Sequence, residues 1–275
     1  MDYIEVAITG LNDFDPGIII AQLGEMGFES FVESESGIQG YIPEGLYHES
    51  GVRSYLDKLS ESLGIGYTLN KIPLQNWNAI WESAYQPVTV AGKCQVRAPF
   101  HEPIPGIPYD IEIEPKMSFG TAHHETTSLM IEMLMKEDIG GKRILDMGCG
   151  TGVLAILAEM MKAMAVVAID TDEWAFENAV ENVRRNNCVA IQVIRGDATS
   201  IPKPEYDLII ANINRNVLLN DIQLYAASLN KPGVLLMSGF YEEDLQQINA
   251  AALDAGFQFT GYRTEKNWVG VKYMK

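Results

Sequence analysis

The sequence predicts an α/β chain: a Rossmann-like, seven-stranded domain preceded by a small ferredoxin-like α+β domain. Three observations carry this. Residues 144–152, Ile-Leu-Asp-Met-Gly-Cys-Gly-Thr-Gly, place a glycine-rich turn between an apolar strand and an apolar helical pattern. Residues 126–275 alternate strand-like and helix-like segments. The first seventy residues read β-α-β-β-α-β, the ferredoxin-like order.

Within the first domain, 3–8 alternates as a strand does. Asp15 is a fitting N-cap and Pro16 a fitting first residue for a helix running to Met26. Strands at 28–33 and 38–42 flank a Ser-Glu-Ser-Gly turn. Val52, Tyr55, Leu56, Leu59 and Leu63 repeat at helical spacing over 49–63, Gly64 stops that helix, and 66–72 forms a last strand. The domain is therefore placed at 1–72 and a linker at 73–90, with a short helix over 76–85. Trp77 and Trp81, four apart on it, suit pinning a linker against a domain. The second domain, 91–275, opens with a strand pair, 88–98 and 109–114, around a proline-rich loop. Strands follow at 143–147, 166–170, 190–195, 206–212, 233–239, 257–264 and 267–274, with helices between the first six. Only Thr264-Glu265-Lys266 separates the last two strands, so they must be antiparallel.

Composition narrows the function. Hydrophobic residues make up 47% of 275, ample for a core. No apolar run nears the ~20 residues of a membrane span. Residues 1–5 lack the basic and apolar regions of a signal peptide, so a cytoplasmic protein is expected. Cys94, Cys149 and Cys188 are too far apart for a disulfide framework or a zinc motif. The formal charge is −17, and residues 1–70 carry −10 of it, twelve acids against Arg53 and Lys58. Such a surface keeps a protein dispersed, repels nucleic acid and favours a basic partner. Without heptads or long edge strands, a monomer is expected.

The glycine turn should hold a nucleotide-like ligand. Gly148, Gly150 and Gly152 allow a sharp turn and close approach, and the helix beyond presents free N–H groups. Their G-x-G-x-G spacing is not the G-x-G-x-x-G of dinucleotide sites. Asp146, two residues before the first glycine, would repel a pyrophosphate but suits an ammonium group, as on an amino-acid tail. Asp170, ending the next strand, suits a ribose diol, and Asp197 follows a third strand. Acids at three successive strand ends match the switch-point rule for ligand sites. Together they resemble the class I S-adenosylmethionine-dependent methyltransferases, whose first strand and turn read D-x-G-x-G-x-G.

Upstream lies Met117-Ser118-Phe119-Gly120-Thr121-Ala122-His123-His124-Glu125-Thr126-Thr127, read as a loop and a helix start that Thr126 and Thr127 can cap. Adjacent histidines are a poor ligand pair, since a zinc helix spaces them four apart, so no metal is expected. With this segment the chain resembles the bacterial methyltransferases of ribosomal protein L11, which carry F-G-T-G-x-H-x-T-T before the glycine turn. Ala122 stands where that family has glycine. The resemblance implies a class I methyltransferase domain, a substrate-recognition role for the first domain, and S-adenosylmethionine as cofactor. It implies that 117–127 lies over the cofactor, with Phe119, Thr121, Thr127, Gly148, Gly150, Asp146, Asp170, Asp197 and Asn212 as cofactor-binding positions. Asn212 also matches the asparagine after the fourth strand, and a catalytic role follows: aiming the amine. Many amine methyltransferases read N-P-P-[FY] there; Asn212-Ile213-Asn214-Arg215 keeps only the asparagine, so an aromatic wall for a planar base is missing.

The resemblance further implies methylation of lysine side chains and the N-terminal α-amine of L11, a basic protein of the large ribosomal subunit. No direct nucleic-acid or membrane contact is expected. A recognition domain moving on the linker would bring different amines to one cofactor. The alternative is a methyltransferase of another protein, a small molecule or a nucleic-acid amine, which would favour an intact N-P-P-[FY] or a basic surface.

Overall fold

A computed structural model describes residues 2–11, 16–34, 37–72, 85–116, 124–203 and 205–275. The chain divides into two compact units, Met1–Ala84 and Tyr85–Lys275.

The first unit carries β1 (Tyr3–Thr9), α1 (Gly17–Glu25), β2 (Ser30–Ser34), β3 (Gly37–Pro43), α2 (Glu49–Leu63) and β4 (Gly66–Ile72). Its sheet is antiparallel in the order β2-β3-β1-β4, the ferredoxin-like arrangement. Alternation in β1 sends Ile4, Val6 and Ile8 to one face, where Ile19 and Leu23 of α1 and Val52 and Leu56 of α2 cover them. Gly64 ends α2 in the left-handed region at φ 69°, where its N–H reaches the Ser60 carbonyl. The cap at Asp15, the 35–36 turn and the tryptophan helix lie outside the described residues.

The second unit begins at Tyr85, six residues before the expected boundary. Tyr85 is held there: its carbonyl meets the His101 ring nitrogen at 2.8 Å and its ring stacks on His101. The expected strand pair is a three-stranded sheet, β5 (Val88–Val90), β6 (Cys94–Arg97) and β7 (Tyr109–Glu112). A turn at Ala91 and Gly92, both at positive φ, splits the first strand, and β6 pairs with β7 in parallel.

The large sheet holds β8 (Arg143–Met147), β9 (Ala165–Asp170), β10 (Ile191–Arg195), β11 (Tyr206–Asn212), β12 (Leu229–Tyr241), β13 (Gln258–Glu265) and β14 (Trp268–Met274). Its order is β10-β9-β8-β11-β12-β14-β13, parallel except that β14 runs antiparallel to both neighbours. Five helices accompany it among the described residues: α3 (Glu125–Leu134), α4 (Val153–Met160), α5 (Glu173–Arg185), α6 (Arg215–Ser228) and α7 (Leu245–Asp254). Helices α3, α4 and α5 pack on one face with Ile144, Ile210 and Leu236. Helices α6 and α7 pack on the other with Leu145, Ile209 and Leu235. Burial on both faces explains the unbroken apolar runs of these strands.

One expected helix is absent among the described residues. Among those between β10 and β11 there is only a 3₁₀ turn, Ala198–Ser200. Pro202 and Pro204 leave no uninterrupted helical stretch in that short connection.

Chain order reverses between β8 and β11, so the crevice between their following loops is the switch point where ligands bind in open α/β sheets. Ile210, fully buried beside it in β11, tests the packing that holds the crevice. Ile210→Ala should cost about 2–5 kcal/mol of stability, read as a lower urea midpoint.

Candidate functional site

The loop after β8 is shaped by hydrogen bonds to the end of β9. Gly148 and Cys149 both donate their N–H to the Ile169 carbonyl, at 2.8 and 3.1 Å. Gly150 donates to Asp170 Oδ2 at 2.9 Å, and Asp172 donates to Oδ1 at 3.0 Å. Two backbone donors thus aim one carboxylate. Gly148 and Gly150 lie at φ 67° and 53°, where side chains are strained. At Gly148 a Cβ would also run into Ile213 Cγ2. Glycine here is a steric requirement of the loop as well as a backbone one.

A cavity of about 960 Å³ lies over this loop, at the upper end of the ~300–1,000 Å³ usual for small-molecule sites. Gly148, Gly150, Asp170, Asp197 and Asn212 line it. Asp197 Oδ1 accepts from both the Thr199 N–H, at 2.9 Å, and the Thr199 hydroxyl, at 2.6 Å. These bonds hold its carboxyl below the ordinary value. Asn212 ends β11 with its Oδ1 buried and without a partner among the described residues.

Two positions differ from expectation. Asp146 does not line the cavity: it lies behind the loop, 1% exposed, with Oδ2 accepting the Ala155 N–H of α4 at 3.1 Å. The alternation of β8 turns Asp146 to the sheet face that α4 covers, away from the opening. Thr127 is fully buried, its hydroxyl has no partner among the described residues, and Thr126 faces the cavity instead. Neither threonine caps α3. His124 does, its Nδ1 accepting the Thr126 N–H at 3.3 Å, which places both threonines inside the first turn. Phe119, Thr121, Ala122 and His123 lie outside the described residues.

Trp268, Asp221 and Lys116 had no motif to announce them as lining residues, whereas His124 is the histidine of the segment before α3. Trp268, at the start of β14, faces the cavity with His124, their ring centroids 4.7 Å apart at 67°. Tyr241 packs behind Trp268 at 4.1 Å. The aromatic wall missing after Asn212 is thus supplied by a return strand and a helix cap. For Trp268 the signal in the sequence is an aromatic at the start of the last strand. Asp221 and Lys116 also line the cavity. Among the described residues, no group of three or more His, Cys, Asp or Glu side chains is arranged to hold a metal.

Burial pushes the Asp146 carboxyl up to about 7, with the nearby Asp170 charge adding to the shift and the Ala155 N–H opposing it. Its proton is therefore bound more tightly in the folded chain than in the unfolded one. Stability from this group is fully present below about pH 4, and it is lost as pH rises through 7. Asp146→Asn should accordingly raise stability relative to the parent chain by about 1–4 kcal/mol at pH 8. The gain should vanish near pH 4, a trend that thermal melts across pH will measure.

Comparison with known proteins agrees with this architecture. Residues 21–275 match the family profile described as Ribosomal protein L11 methyltransferase (PrmA). A ribosomal protein L11 methyltransferase of Bacteroides fragilis is 42% identical over 94% of this chain and 93% of its own length. One from Phocaeicola vulgatus is 41% identical over 100% of this chain and 99% of its own. Among solved structures, a ribosomal protein L11 methylase from Lactobacillus delbrueckii subsp. bulgaricus superposes with a TM-score of 0.64 at 25% identity, covering 69% of this chain and 98% of that one. A Pyrococcus furiosus methyltransferase shares the fold at a TM-score of 0.52. With its glycine turn, sheet order and second-unit cavity all in place, the chain belongs to the ribosomal protein L11 methyltransferase family.

Proposed function

We propose that the chain transfers methyl groups from S-adenosylmethionine to amines of ribosomal protein L11, on lysine side chains and the N-terminal α-amine. The observation that carries this is Asn212, a residue lining the cavity walled by Trp268 and His124, whose buried Oδ1 has no partner among the described residues. A buried acceptor left open costs stability unless something donates to it. An incoming amine is such a donor. The names of the Bacteroides fragilis and Phocaeicola vulgatus relatives support L11 as the substrate.

The residues present fit the cofactor. Gly148 and Gly150 line the cavity with positive-φ backbone and no side chain, so a ligand can approach the backbone closely. Asp170, aimed by Gly150 and Asp172, keeps lone pairs on both oxygens for the two hydroxyls of a ribose. Asp197 stands at the next strand end for the base. Asp146 supports the loop from behind through α4, so the ammonium tail is not assigned to it directly. Thr127, sealed from the cavity, is given no direct contact, and Thr126 takes the facing position. Phe119 and Thr121 keep their family-implied cofactor roles.

When bound, S-adenosylmethionine supplies a methyl on a positively charged sulfur, open to in-line attack by a neutral amine. A lysine in water has a pKa of ~10.4 and an α-amine ~8, so the acceptor must lose a proton first. The apolar faces of Trp268 and His124 offer an acceptor amine fewer water contacts, and desolvation favours its neutral form. Asn212 Oδ1 accepts one amine N–H and so aims the lone pair. Positioning and desolvation are the chain's contributions, and no strong base is required. The acidic first unit, −10 over residues 1–70, suits recruitment of a basic ribosomal protein, and a cytoplasmic reaction is consistent with that substrate.

Incubation with labelled S-adenosylmethionine and ribosomes, or free ribosomal proteins, tests the assignment. Label should enter L11 alone; label in RNA, in another protein or nowhere overturns it. Asn212→Ala should lower kcat about 10–100-fold at saturating cofactor. A wild-type rate in that variant removes Asn212 from the mechanism.

A further inference from the structure

Residues 112–116, which run from the last residue of β7 to the cavity-lining Lys116, are tied to one face of α5 and its C-cap by asparagines four apart. Asn186 accepts the Glu112 N–H at 2.9 Å and donates to the Glu112 carbonyl at 2.7 Å. Asn182 accepts the Glu114 N–H at 2.9 Å. Asn178 donates to the Glu114 carbonyl at 3.4 Å. Two residues of extended chain rise ~6.6–6.8 Å and four of helix ~6.0 Å, so the rungs stay in step over this short run. Pro115, with no N–H to give, falls between rungs. Ion pairs reinforce the strap: Arg185 with Glu112 and Glu114, and Lys116 with Glu181.

Asn182 differs from its neighbours. Its Nδ2 donates 3.0 Å to the carbonyl of Thr151, inside the glycine turn. The side chain is fully buried, and its partners, one N–H and one C=O, fix which end of the amide faces which. Thr151 directly follows Gly150, whose N–H aims Asp170. We propose that Asn182 is a positioning residue for cofactor binding, joining the glycine turn at Thr151 to the cavity-lining strap at Glu114. This rests on the cofactor reading above.

Asparagine is required on chemical grounds. Aspartate would set a carboxylate against the Thr151 carbonyl, and serine cannot span both groups. Asn186 provides the contrast, since its side chain bonds to Glu112 of the same strap and to the Asn182 main-chain carbonyl rather than to the Thr151 carbonyl.

Binding of S-adenosylhomocysteine by calorimetry, with methyl transfer to L11 at saturating cofactor, separates a positioning role from a structural one. Asn182→Asp and Asn182→Ser should each weaken binding about tenfold or more and leave kcat within about twofold. Asn186→Ala should lower the melting temperature yet bind within about twofold of the parent chain. If Asn182→Asp does not fold, Asn182→Ser carries the same readout. Unchanged binding in the Asn182 variants, or an equal loss in Asn186→Ala, overturns the assignment while the cofactor reading stands. A parent chain that fails to bind S-adenosylhomocysteine overturns both.

Discussion

Gly150 donates its N–H to Asp170 across the gap between two neighbouring strand ends, and the crevice is organised around that bond. It forms only because the loop after β8 folds back through three left-handed glycines. The Ile169 carbonyl holds the loop's first two N–H groups, and Asn182 holds its far side. The same bond presents Asp170 to the cavity with its remaining lone pairs outward. A side chain at Gly148 would push the loop off Ile213 and break this geometry.

Around the loop, the charges are arranged by depth. Asp170 and Asp197 sit at strand ends with backbone donors to steady them. Asp146, two residues before the loop, is sealed under α4 and holds its proton to about pH 7. A single strand can do this because its alternation sends Asp146 and Met147 to opposite faces, one under α4 and one at the cavity. The acid in the D-x-G-x-G-x-G pattern therefore belongs to the support of the turn, at a cost in stability that its burial sets.

Features written in contiguous residues were legible in the sequence. The glycine turn, the acids at the ends of β9 and β10, and the strand carrying Asn212 each sit inside one short segment, and local pattern suffices for them. The terminal hairpin followed from its three-residue connection. What long-range packing decides was not legible. Trp268 reaches the cavity only because β14 pairs beside β12, and His124 caps α3 in preference to two good capping threonines. The asparagines of α5 read as ordinary helix-surface residues until the strap from 112–116 lies against them. The helix expected between β10 and β11 failed for a local reason that was present in the sequence: two prolines in a short connection.

The position of Trp268 has a consequence for how the protein is made. The cavity wall is drawn from residues as distant as Lys116 and Trp268, and β14 is inserted between β12 and β13, which are synthesised before it. A nascent chain that has emerged only through β13 already holds the glycine turn and Asp170, yet lacks both the aromatic wall and the strand that joins β13 to the sheet. Completion of the last hairpin is the event that brings Trp268 against His124 at the cavity wall and joins β13 to the sheet.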